Sequence, residues 1–336
     1  DVTLVSLYDH TPKHLPLDLL DKKIKFITLG KRQGPDLKIF SRVYHLLEKL
    51  KPDVVHTHLH SGYYCFRAYL KIKNHLFKKV HTIHNLAKRD SPWHGRMAYK
   101  YFFNKKIIHP VTISEEVFKS AVKEYGSIIT TLINNGSIPV RSSFAINEVA
   151  ELINKLKKNT DTKVLLNIAR ISKQKNQQLL IECMRTLGKE GENVIALIIG
   201  DYAPDDEKLY RQLNQNKPPN VYFIGRIKNV GDYYLNADAF LLSSIFEGLP
   251  ISLLEALSAG VIPVCTPVGG VKNIVNKDIG FLSADVSYES YLAALKAYLK
   301  TASPELEVIK QNGKELYKKE FSIESCAAEY DALYHS

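Results

Sequence analysis

The stretch Leu241-Leu242-Ser243-Ser244-Ile245-Phe246-Glu247-Gly248-Leu249-Pro250-Ile251-Ser252-Leu253-Leu254-Glu255-Ala256 decides how the rest of the chain is read. An apolar strand runs into a short loop, and the loop into a helix. Pro250 suits the first helical turn, where its missing N–H leaves no bond unmade. Gly248 lets the backbone come close to a ligand. The amides of Gly248, Leu249, Ile251 and Ser252 open a helix N-terminus, which is a site for an anion. Glu247 stands just before the helix and Glu255 inside it. A carboxylate so placed can grip sugar hydroxyls while the amides hold a phosphate, and Glu255 can accept from two vicinal hydroxyls of a ribose. The competing reading is a helix-terminal glutamate followed by an ordinary helical one.

Working outward, the same strand–loop–helix unit recurs. Strands are expected at Val2–Leu7, Ile24–Leu29, Val54–His58, Val80–His84, Ile107–Ile113 and Ile128–Ile133, separated by helices such as Asp36–Lys51, Gly62–Ile72 and Trp93–Asn104. In Asp36–Lys51, Leu37, Phe40, Val43, Tyr44 and Leu47 recur at helical spacing. Asn134-Asn135-Gly136-Ser137-Ile138-Pro139 breaks the pattern and reads as a linker. Beyond it come strands at Val164–Ala169, Val194–Ile199, Val221–Ile224, Ala239–Leu242, Ile262–Cys265 and Gly280–Leu282, and three closing helices. Near-continuous apolar strands alternating with helices mean parallel sheets covered on both faces. The fold class is therefore α/β, with two Rossmann-like doubly wound domains facing across a cleft. Ligands of such sheets bind at the carboxyl ends of the strands. Residues 1–142 are assigned to an N-terminal acceptor-side domain and 143–320 to a C-terminal nucleotide-sugar domain. Residues 321–336 form a helix returning to the first domain.

Composition narrows the classes. With 336 residues, 45% apolar and 24% charged, the chain is of ordinary globular make-up. No apolar stretch approaches the roughly 18–20 residues of a membrane span. The four cysteines lie far apart with no C-x-x-C, which rules out a zinc ribbon or a thioredoxin-like pair. Residues 1–140 hold 23 Lys+Arg against 11 Asp+Glu, and residues 141–336 hold 23 against 24. The positive charge thus sits in the first half, as expected of a face aimed at anions such as a phospholipid surface. The competing reading is a solvated lysine-rich surface.

Other strand ends also carry chemistry. Asn167-Ile168-Ala169-Arg170-Ile171-Ser172-Lys173-Gln174-Lys175 places two cations, Arg170 and Lys175, after a strand, where they could neutralise a diphosphate leaving group. Gly200-Asp201 and Gly225-Arg226-Ile227 end the next two strands and can bring backbone near a planar base. His56, His58, His81 and His84 lie at strand ends in the first half. No Cys or carboxylate joins them at ligand spacing, so no metal is expected. There is no G-x-G-x-x-G after a strand, no P-loop and no D-x-D to anchor a divalent ion on a nucleotide diphosphate.

Glu247 and Glu255, within F-E-G-L-P-I-x-L-L-E-A-L-x-A-G-x-I-P-V, resemble the E-x7-E motif of glycosyltransferase family 4, the group 1 glycosyltransferases. Pro52–His58, Thr82–Asn85, Val111–Ser114, Asn134–Gly136, Arg170–Lys175 and Val268–Gly270 follow in family order. The resemblance implies a retaining enzyme of GT-B fold. In it Glu247 contacts the donor sugar, with Gly248, Leu249, Pro250 and Ile251 beside it. Glu255 takes the ribose hydroxyls, Arg170 and Lys175 the diphosphate, and His84 the transferred sugar. Backbone at Gly225, Arg226 and Ile227 meets the base. Asn273 departs from the family's G-G-x-x-E segment. The family's first strand and Gly-rich loop, roughly 30–40 residues by the size of one βα unit, are expected ahead of Asp1.

The expected function is retaining transfer of a sugar from a nucleotide-diphosphate donor to a lipid-linked or polysaccharide acceptor in cell-surface polysaccharide synthesis. No cofactor and no metal are expected, and nucleic acid is not a partner. The protein is expected to be cytoplasmic, with an anionic membrane surface as a partner of the basic half. The aromatic and basic segment Trp93–Lys106 and Lys71, Lys73, Lys78 and Lys79 are the candidates for that contact. The alternatives are a sugar-nucleotide epimerase of related fold and a catalytically inactive GT-B partner subunit.

Overall fold

The computed structural model describes residues 1–9, 20–72 and 77–336. Contacts divide the chain into two compact units, Asp1–Ile113 with Val117–Leu132, and Ser114–Glu116 with Ile133–Ser336. In the first unit β1 (Thr3–Ser6) pairs in parallel with β2 (Lys25–Thr28). A second parallel sheet runs β3 (Val54–His58), β4 (Lys78–Ile83), β5 (His109–Thr112) and β6 (Thr131–Leu132). The last of these is shorter than the expected Ile128–Ile133, because Ile129 N–H turns back to Gly126 O instead of joining the ladder.

The helix Lys38–Leu50 buries Ile39, Val43 and Leu47, the stripe that its spacing calls for. The helix Trp93–Asn104 buries Gly95, Tyr99, Phe102 and Phe103. Three of the aromatics expected at a membrane face, Tyr99, Phe102 and Phe103, are thus core. Lys79 is also core, 3% exposed, with its ammonium 4.2 Å from the Phe77 ring centroid. Burial lowers its pKa to about 8. Lys73 lies outside the described residues.

The second unit carries one six-stranded parallel sheet. It is formed by β7 (Lys163–Ile168), β8 (Val194–Ile199), β9 (Val221–Gly225), β10 (Ala239–Leu242), β11 (Ile262–Cys265) and β12 (Phe281–Leu282). The spatial order is β12-β11-β10-β7-β8-β9. The sheet starts at β7 in its middle, grows one way through β8 and β9, and then reverses to grow the other way from β10. That reversal makes the β7–β10 junction a topological switch point, where ligands of doubly wound sheets bind. Both faces are covered. Val164, Leu166, Phe240 and Leu242 pack into one apolar cluster, while Leu165, Ala239 and Leu241 pack into the other. Strict alternation of side chains along buried strands puts successive residues into opposite layers. The chain closes with the helix Ile323–His335, whose first turn packs on Gly136. A Cβ at Gly136 would stand 2.7 Å from Cys326 Cβ and 2.8 Å from Ile323 Cα.

All four cysteines are buried and unpaired. Desolvation pushes the Cys65 and Cys183 thiols up to about 12, and the Cys265 thiol upward as well.

Imidazoles pack into the first unit. His81 is fully buried, stacked at 4.4 Å on Tyr99, with Nδ1 3.0 Å from Thr57 Oγ1. His56 lies 2.7 Å from Thr82 Oγ1 through Nε2. Desolvation holds both at about 3 and His84 at about 4. Rings that stay neutral in the folded chain but take up a proton when unfolded favour unfolding as pH falls below about 6.5. Stability should therefore be full above pH ~6.5 and decline towards pH ~5, by up to about 1.4 kcal/mol per pH unit per ring. Thermal melts across that window check this. His81→Leu should reduce the slope, and an unaltered slope would show that this ring does not titrate on unfolding.

Candidate functional site

The switch point is built by two loops that leave adjacent strands. Inside the sheet, Asn167 Nδ2 donates to Leu241 O at 2.8 Å and ties β7 to β10. Beyond it the loops are laced together. Ile245 N–H donates to Gln174 O at 2.8 Å, Ser243 Oγ to Lys175 O at 3.0 Å, and Gln174 Nε2 to Phe246 O at 3.0 Å. The lacing delivers Lys175 to Glu247. Lys175 Nζ is 2.7 Å from Glu247 Oε1, and Ser244 Oγ donates to the same oxygen at 2.6 Å. Glu247 is 8% exposed, so its charge needs these partners.

A third loop clamps the second. Gly270 N–H donates to Gly248 O at 2.7 Å. Gly269, at φ +56°, lies so close that a Cβ there would stand 1.9 Å from Glu247 O. Only glycine fits that approach. The helix Ile251–Ala259 then starts behind Pro250, with no side chain capping its amino end. Those amides and the dipole make the end receptive to an anion.

Glu255 lies one turn into this helix. Its Oε2 is 3.1 Å from the phenol of buried Tyr234, whose single proton is shared with Ser252 O at 2.9 Å. Desolvation raises the Glu255 pKa, and the Tyr234 hydrogen bond opposes the rise.

Arg170 is exposed just past β7. The neighbouring Gly200 admits no side chain, since a Cβ would stand 2.0 Å from Ala169 O. Gly225, at φ +81°, ends β9 and accepts from Gly200 N–H at 3.0 Å. Arg226 and Ile227 follow it at the same end of the sheet. One strand end of the second unit thus gathers Arg170, Lys175, Gly225–Ile227, Glu247–Ile251 and Glu255. Ser244 and Tyr234, which fix the two glutamates, escaped the sequence reading, because a serine and a tyrosine acquire meaning only through contacts distant in sequence.

His84 belongs to the first unit, one residue past β4. Its N–H and that of Asn85 donate to Asp90 Oδ1 at 3.1 and 3.2 Å. Its Nε2 lies 2.9 Å from His58 Nδ1, so one proton joins two otherwise neutral rings. Among the described residues no group of three or more His, Cys, Asp or Glu could hold a metal ion.

This geometry places one candidate site at the switch point of a doubly wound sheet, and comparisons with known proteins give the family. Residues 148–316 match the glycosyl transferases group 1, and residues 1–136 match glycosyltransferase family 4. The chain belongs to the group 1 glycosyltransferases. It is 28% identical over 74% of its length to an uncharacterized glycosyltransferase of Methanocaldococcus jannaschii, covering 65% of that protein. It is 26% identical over 77% of its length to the Escherichia coli UDP-Gal:alpha-D-GlcNAc-diphosphoundecaprenol alpha-1,3-galactosyltransferase, covering 70% of it. It spans 47% of the Staphylococcus aureus capsular polysaccharide biosynthesis glycosyltransferase CapM. Among solved structures, Anabaena HepE in complex with UDP superposes with a TM-score of 0.76 at 15% identity, covering 93% of this chain and 86% of that one. A glycosyltransferase from Rickettsia africae gives 0.79 at 16% identity, covering 99% and 89%. The fold is the two-domain, Rossmann-like GT-B fold.

The Lys175–Glu247 pair separates two substitutions that the sequence treats alike. Arg170→Ala should leave the thermal midpoint unchanged. Lys175→Ala strands a buried carboxylate and should cost about 1–3 kcal/mol, between the surface and buried limits for ion pairs. Adding Glu247→Gln should recover most of that loss in a denaturant titration. Equal stability of the two single variants would mean that the pair does not hold the loops.

Proposed function

We propose that the protein is a retaining glycosyltransferase that moves a sugar from a nucleotide diphosphate to a lipid-linked or polysaccharide acceptor in cell-surface polysaccharide synthesis. The observation that carries this reading is the Lys175–Glu247–Ser244 cluster set before an uncapped helix at the switch point. It supplies a cation and amides for a diphosphate and a fixed carboxylate for sugar hydroxyls, side by side. Relatives support the donor class, since HepE was solved with UDP and with UDP-glucose and the E. coli relative is named for UDP-Gal. The E. coli relative's diphosphoundecaprenol acceptor and the Acholeplasma laidlawii alpha-monoglucosyldiacylglycerol synthase favour a lipid-linked acceptor.

In the proposed reaction the bond from the sugar's anomeric carbon to the diphosphate oxygen breaks. The acceptor oxygen bonds to that carbon on the same face, and its proton passes to the departing diphosphate. Arg170, Lys175 and the helix amides take up the negative charge that develops there, usually the largest catalytic term. Glu247 orients the donor sugar, with His84 assigned to the transferred group and Glu255 to the ribose. Backbone at Gly225–Ile227 meets the base. We propose that no metal takes part, since the sequence offers no D-x-D to bridge a diphosphate. Among the described residues no helix is long and apolar enough to cross a membrane. We propose, on the basic charge of the first half, that a lipid-linked acceptor is met at the cytoplasmic membrane surface.

A nucleotide panel tests the donor class. A nucleoside diphosphate at about 100 times its Kd should stabilise the fold by about 2.7 kcal/mol. Mass detection should then show acceptor-dependent sugar release that survives EDTA. Arg170→Ala should cut turnover by about 2.7–4 kcal/mol, or a hundredfold or more. Epimer formation without transfer would point to the epimerase, and no response to any nucleotide to an inactive partner subunit.

A further inference from the structure

The helix Trp93–Asn104 has an outer face that its core packing does not use. Trp93, Met97 and Tyr101 are 67%, 65% and 51% exposed. Spaced four residues apart, they fall within about 80° of one another around the helix axis. Gly95, Tyr99, Phe102 and Phe103 face the interior. Three large apolar side chains in a row on one exposed helix face mark an interaction surface rather than scattered exposure.

The charge around the ridge says what kind of partner it fits. Between Val54 and Ser114 the sequence holds 11 Lys+Arg and a single acid, Asp90. Asp90 is 5% exposed and accepts from the His84 and Asn85 amides. Among the described residues, seven of these cations are exposed and the one acid is not. Lys100 lies on the ridge helix, and Lys105 and Lys106 follow its end, all exposed. Arg67 and Lys71 are exposed on the helix Ser61–Lys71, which packs against it. Arg96 is held by Glu124 Oε1 at 2.8 Å, and Lys79 is buried. A second copy of the same face would bring like charges together. An anionic bilayer offers both a negative surface for the lysines and an apolar boundary for Trp, Met and Tyr.

We propose that the Trp93–Met97–Tyr101 ridge seats the protein on an anionic lipid bilayer, with the ridge side chains entering the headgroup boundary. The proposal deepens the lipid-linked acceptor reading and rests on it for its biological sense. Its test needs neither donor nor acceptor, so the two can fail separately.

Trp93 is the chain's single tryptophan, so intrinsic emission reports the ridge alone. With vesicles of phosphatidylcholine containing phosphatidylglycerol, the emission should move to shorter wavelength and be quenched by brominated lipid. Phosphatidylcholine alone should do neither, and added salt should reverse the effect. Lys100→Gln with Lys105→Gln and Lys106→Gln should weaken partitioning on the order of 100-fold, at about 1 kcal/mol per lysine. Met97→Ser with Tyr101→Ser should keep the charge and the thermal midpoint but lose the emission shift. Co-sedimentation with no change in Trp93 emission would overturn insertion by the ridge, as would no sedimentation at all. A concentration-dependent dimer abolished by Met97→Ser and Tyr101→Ser would assign the face to a second copy and overturn the proposal equally.

Discussion

Lys175 and Glu247 are 72 residues apart in the sequence and 2.7 Å apart in the fold. Their contact is the constraint around which the second unit is arranged. A carboxylate at 8% exposure is tolerable only with a cation and a hydrogen-bond donor at hand. Lys175 and Ser244 meet that requirement only because β7 and β10 are neighbours, and they are neighbours only because the sheet reverses direction there. The apolar layers on both faces fix the strand order, the order fixes the loops, and the loops fix the pair.

The same contact is held from both sides by the main chain. The loops are bound to each other through backbone groups, and Gly269 and Gly270 press on the Glu247–Gly248 backbone from the far side. Side-chain geometry at this pair is inherited from main-chain geometry. Glu247 also offsets the charge of Lys175. A group fixed in this way needs little reorganisation when charge develops beside it.

Much of this architecture was legible in the sequence, for identifiable reasons. Ile262–Cys265 and Val194–Ile199 are continuous apolar runs of strand length, and they are strands. Pro250 and Gly260 mark the helix between them, the latter by its left-handed φ of +71°. Local spacing failed where distant packing decides. Trp93, Tyr99, Tyr101, Phe102 and Phe103 form one aromatic run in the sequence, and burial separates them into core and surface. Lys79 reads as a surface charge until the Phe77 ring is found beside it. Tyr234 looks like any strand-flanking aromatic, yet its proton links Ser252 and Glu255. The short helix Ala87–Asp90, which carries the acid that ties down the His84 backbone, has too few residues to show a period.

The four buried cysteines have a practical consequence. A thiol reacts through its thiolate, and burial suppresses that form at each of these positions. Maleimide and iodoacetamide reagents should therefore pass over the native protein. A cysteine introduced on the surface of either unit could carry a dye or a spin label without removing the native ones, opening the motions of this fold to single-molecule and resonance measurements in otherwise unaltered protein.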